Sequence, residues 1–139
     1  MAFPMMVELC LILLVRLQAL QGDLGTAIES LRSGLELSYE QGSRVNVIFL
    51  LKQGAIALTR AGHPDVAALL LGYVDAQPQR GTAGWEGEFH EGVIAEARAA
   101  LGDAAYDAAA ARGAAMPYDE IVQYTFTELD RIQADTADA

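Results

Sequence analysis

Residues 22–31, GDLGTAIESL, and residues 62–71, GHPDVAALLL, decide the fold. Each opens on a glycine turn and continues into a stretch whose apolar residues fall three and four apart, the spacing of one helix face. Gly22 aligns with Gly62, Ala27 with Ala67 and Leu31 with Leu71, an offset of 40 residues in each case. Helix pairs repeated at a fixed period of about 34–47 residues mark an α-solenoid, because one pair cannot bury its own apolar face and stacks on the next. The expected fold is all-α, a solenoid of antiparallel helix pairs.

Outward from these stretches the same spacing predicts about seven helices: 5–21, 24–41, 44–61, 64–77, 85–101, 103–112 and 118–132. Glycines at 22, 42, 62, 102 and 113 supply the stops, and Pro64 suits a first helical turn. Pro78, Gly81 and Gly84 make 77–84 the clearest loop. A single helical-repeat domain is expected over 1–133, with two helix pairs in 5–77 and a terminal three-helix segment in 85–132. Residues 134–139 read as a polar tail.

The first helix carries two apolar faces. Met6, Leu9, Cys10, Leu13, Leu17 and Leu20 form one stripe, which we assign to the core. Val7, Leu11, Leu14 and Val15 form a second. The end of a solenoid should present a polar face to water. This second stripe is therefore the expected interface, to be covered by a preceding repeat, a partner protein or a second copy.

Charge excludes several functions. The 139 residues carry 19 acids against nine Lys and Arg, a net charge of −10. Residues 1–64 hold five of each sign and are neutral, so all of the excess lies in 65–139. Such a surface repels nucleic-acid phosphates, which need cations to displace their counterions, and it repels anionic membranes for the same reason. The apolar run 5–15, MMVELCLILLV, has no preceding Lys or Arg, is interrupted by Glu8, and is too short for a membrane span. A cytoplasmic protein is expected. Cys10 is the only cysteine, so no disulfide forms within the chain.

Catalytic constellations do not emerge. His63 and His90 are the only histidines. Glu86, His90 and Glu91 share a helical stretch but lack a further His or Cys for a metal site. Asp119 and Glu120 sit in a helix first turn, where the helix dipole favours them. His63, before Pro64, reads as a cap on the preceding helix. The serines have no histidine and acid partners in a recognisable frame. Neither catalysis, a metal nor a cofactor is expected. Tyr73, Trp85 and Phe89 are the candidates to line a small-molecule groove beside the 78–84 loop.

The stretch from Gly62 to Leu129 resembles the C-terminal end of large bacterial regulatory ATPases, those with LuxR-type or antibiotic-regulator-type domains, and of their adenylate-cyclase-fused relatives. The residues that carry the resemblance are AGHPDVAALLLG (61–72), ARAALGDAAYD (97–107) and AAAARGAAMPYDEIVQYTF (108–126), in that order. In that family the region is a tetratricopeptide-like helical array that follows a nucleotide-binding domain and senses a ligand or partner. The phosphate-binding loop is absent here, since Lys52-Gln53-Gly54 surrounds the only lysine and does not match it. Residues 79–88 depart from the family by being Gly-rich. The resemblance implies a non-catalytic protein- or ligand-binding module of a signalling or transcriptional regulator. The alternative is a stand-alone helical structural protein that homodimerises through its first helix.

Overall fold

The computed structural model describes the backbone of residues 3–77 and 85–138 and the side chains of residues 10–77 and 87–135. The protein is all-α. The described residues form α1 (Phe3–Leu20), α2 (Leu24–Glu40), α3 (Arg44–Arg60), α4 (Pro64–Ala76), α5 (Trp85–Leu101), α6 (Asp103–Ala114) and α7 (Tyr118–Asp138), with no strand among them. The last helix runs past the expected stop at 132 to Asp138, through residues read from the sequence as a tail.

Three connections share one geometry. Gly22, Gly42 and Gly62 adopt φ of 84°, 73° and 94°. This left-handed backbone is open to glycine at little cost. In each turn the next residue's N–H reaches back five positions: Asp23 to the Gln18 carbonyl at 2.9 Å, Ser43 to Ser38 at 2.9 Å and His63 to Leu58 at 2.8 Å. These bonds satisfy carbonyls that a helix end otherwise leaves open. His63 thus closes α3 through its backbone, and its ring makes no cap hydrogen bond to α4.

The turns fall every 20 residues, half the offset read from the sequence. The core keeps the same beat: Leu31, Leu51 and Leu71 are all fully buried, and Leu11 is half-buried. Each unit is one helix and one turn, and the chain reverses at every unit.

The centre of the fold is α3 and α4. Every residue from Leu50 to Thr59 and from Val66 to Val74 is buried. From Val66 to Val74 α4 has no polar side chain but Tyr73, and such a helix belongs inside; α3 buries Lys52, Gln53 and Thr59 among its apolar residues. Glycines set the closest contacts. Leu31 of α2 lies over Gly54 of α3, and Leu50 of α3 lies over Gly34 of α2. Between α4 and α6 the backbones themselves meet. A Cβ on Gly72 would stand 2.1 Å from the Ala110 carbonyl oxygen, and one on Gly113 would stand 1.9 Å from that of Leu69.

Helix α7 contributes Ile121, Val122, Leu129 and Ile132 to the core and contacts both α4 and α2. The Tyr39 hydroxyl donates to Asp119 at 2.9 Å, Arg32 pairs with Asp130, and the Arg44 guanidinium lies 4.6 Å from the Tyr118 ring centre. In a strictly nearest-neighbour array each repeat touches only the next. Here the last helix returns to the second.

Candidate interaction surface

Helix α1 shows how the surface arises. From Leu9 to Val15 the sequence has seven consecutive apolar residues, so hydrophobic periodicity alone cannot orient it. Its few polar groups and its neighbours do. Arg16 donates from Nε to the Gln53 Oε1 at 2.6 Å, and its guanidinium lies 4.1 Å from the Phe89 ring centre. Gln18 and Ser30 share a hydrogen bond of 2.8 Å. These contacts turn Ile12, Val15 and Ala19 inward, where all three are buried.

The consequence reverses the two stripes. Leu13 is 51% exposed, Leu17 54% and Leu20 48%, and Cys10 is exposed beside them, although this face was assigned to the core. Val15, a candidate interface residue, is instead a core residue at 0% exposure. Leu11 is half-buried. Leu14, at 40% exposure, is the candidate that reaches the surface, where it joins the exposed leucines. The side chains of Met6, Val7 and Leu9 lie outside the described residues.

Leu20 also borders a cleft. Its other walls are Ile56 and Arg60 of α3 and Phe89, Gly92, Val93 and Glu96 of α5. Within the lining Arg60 donates to both Glu96 carboxylate oxygens, at 3.0 and 3.2 Å. The bond to Glu96 raises the Arg60 pKa above its ordinary value, against a smaller opposing effect of desolvation. The two charges in the lining neutralise each other, and Leu20, Ile56, Phe89 and Val93 are its apolar members. At about 230 Å³ the cleft is smaller than the roughly 300–1,000 Å³ typical of small-molecule pockets.

The aromatic groove read from the sequence is divided. Phe89 lines this cleft, but Tyr73 is 1% exposed inside α4 and is absent from its walls. Tyr73 lies near Tyr118, whose phenol is pushed up first by burial and then by the neighbouring Tyr39 and Tyr73. One residue in α4 cannot serve both sides of that helix. Trp85's side chain lies outside the described residues.

The candidate chemical groups are engaged in holding helices together. The Nε2 of His90 lies 2.7 Å from the Asp75 carboxylate and ties α5 to the end of α4. Asp119 accepts the Tyr39 hydroxyl. Among the described residues no three His, Cys, Asp or Glu side chains gather as a metal site would need, and Glu86's side chain is outside that set. No helix among the described residues is long and apolar enough to cross a membrane.

Sequence reasoning missed Leu13, Leu17 and Leu20 as surface residues, and Ile56, Arg60, Val93 and Glu96 as walls of the cleft. No sequence signal distinguished these leucines, because the run from Leu9 to Val15 is apolar throughout. No family model matches the chain, nor does any curated protein or solved structure.

Proposed function

We propose that the chain is a non-catalytic helical module that binds another protein through the outward leucine face of α1 and the cleft beside it. The observation that carries this reading is the row Leu13, Leu14, Leu17 and Leu20, each at least 40% exposed. Large apolar side chains grouped in this way mark interaction sites on soluble domains. The cleft bordered by Leu20 offers a socket for one anchoring side chain, which is how small interfaces concentrate their affinity. The neutral charge of residues 1–64 fits a contact made by apolar burial.

The role is that of a binding element in a bacterial signalling or transcriptional regulator, as the resemblance of residues 62–129 implies. A photo-crosslinking amino acid at position 17, used in the living source cell, tests it. The expected result is one discrete protein adduct that Leu13→Glu removes, with a subunit of a regulatory system in the adduct. A chain that forms no adduct at this position is not an interaction module of this kind.

A further inference from the structure

Helix α7 lies in a groove between two helices that do not close on each other. The chain reverses after each of its first helices, so α2 and α4 run parallel, and among the described residues they make no extended contact. Helix α7 packs on both. Asp119, near its start, meets Tyr39 at the end of α2, and Asp130, further along, meets Arg32 in the middle of α2. Helix α7 therefore runs antiparallel to α2, laid along the groove.

Two observations set α7 apart from the helices around it. The first is how it is held. Helix α6 meets α4 backbone to backbone at Gly72 and Gly113. Helix α7 is held by one stripe of buried side chains, Ile121, Val122, Thr125, Leu129 and Ile132, while Gln123, Thr127 and Asp130 are exposed. Anchors three and four residues apart are those by which a helical peptide enters an apolar groove. The second is what its departure would leave. Helices α1 to α6 stay joined, each to the next, with α1 on α3, α3 on α5 and α4 on α6. Arg32 keeps Glu36 of its own helix, at 3.2 Å. The Tyr39–Asp119 bond lies at the exposed rim, where water replaces either partner at little cost. Within α7, Arg131 pairs with Glu128 at 2.6 Å and with Asp135 at 3.7 Å, so the helix brings its own charge support. Only the apolar stripe and the groove beneath it need a new partner.

We propose that the groove between α2 and α4 is a helix-binding site occupied by the chain's own last helix, and that an acidic amphipathic helix of a partner protein takes its place. The chemistry of that partner is read from α7. Residues 118–138 hold six acids and one base. On the groove's rim they meet Arg32, and Tyr118 lies under Arg44. Both arginines belong to the neutral first half of the chain. The site is separate from the leucine face of α1 and does not rest on it.

A capped, fluorescent peptide with the sequence of residues 118–135 is the probe, and the full chain is its target. A helix tethered by a short linker competes at an effective concentration on the order of millimolar, so the wild type should bind the peptide weakly and saturably. Asp130→Arg in the chain, at an exposed position, sets a like charge against Arg32 and should tighten peptide binding roughly tenfold. Leu129→Asp in the peptide should abolish binding. Leu17→Glu in the chain should leave it unchanged, which separates this site from the face of α1. Hydrogen exchange reads the same opening in the wild type without any substitution. Amides of α7 should exchange at least about tenfold faster than those of α4, through an opening that leaves α1 to α6 intact. A peptide that does not bind, that binds no tighter to Asp130→Arg, or that is lost with Leu17→Glu would overturn the proposal, as would α7 amides protected as well as those of α4.

Discussion

Helices α1 and α4 are both rich in apolar residues, and the fold treats them in opposite ways. In α4 every residue from Val66 to Val74 is enclosed, with α3 on one flank and the backbone of α6 pressed against Gly72 on another. In α1 the side holding Ile12, Val15 and Ala19 is enclosed, and the side holding Leu13, Leu17 and Leu20 is not. The two sequences predict burial equally. They differ in what has arrived to provide it. The comparison separates a property of a helix, its wish to leave water, from a property of its surroundings, the number of neighbours it has.

The largest effect should come from pushing α4 and α6 apart. Gly113→Ala places a methyl group 1.9 Å from the Leu69 carbonyl oxygen, a backbone atom that cannot rotate away. Overpacking of this kind costs about 1–3 kcal/mol and more where backbone must move. We expect the upper end of that range, read as a lower urea midpoint with an unchanged slope. A midpoint within error of wild type would mean the two backbones are not in contact.

Paired truncations sharpen the contrast between enclosed and open leucines. Leu31→Ala removes a fully buried side chain seated over Gly54 and should cost about 3 kcal/mol. Leu17→Ala removes one that is already half in water. Measured at dilution, where any association is lost, it should cost well under about 1 kcal/mol. Equal losses in the two variants would show that α1 is enclosed within a single chain after all.

The smallest effect lies inside α4. Among the described residues the Tyr73 hydroxyl is buried without a hydrogen-bond partner. An unsatisfied buried polar group costs about 1–3 kcal/mol, so removing it is neutral or favourable. Tyr73→Phe should leave the melting temperature unchanged or raise it by a few degrees. A clear drop would reveal a hydrogen bond to a bound water.

Most helix boundaries were legible because single residues fix them. Glycine at 22, 42 and 62 can take a positive φ, and proline at 64 can open a helix, so local chemistry marks these places. The facing of α1 was not legible, because seven apolar residues in a row provide no polar reference; Arg16 and Gln18 orient it only through partners on α3, α5 and α2. The return of α7 to α2 was equally hidden. It brings Arg32 to Asp130 across 98 residues, and no short-range pattern announces such a pair. The cleft combines both difficulties, since Leu20, Ile56 and Phe89 come from three helices whose facing must first be known. Tyr73 and Phe89 were grouped because both flank one loop, but proximity along the chain does not choose a side of α4.

The evenly spaced glycine turns have a consequence for how this chain can change length. Each 20-residue unit reverses the direction of travel, so gaining or losing one unit would deliver everything downstream to the opposite end of the bundle. Two units together restore the heading. Growth by whole duplications is therefore quantised at 40 residues, and a helix pair is the smallest piece that can be copied or deleted without inverting the rest of the molecule.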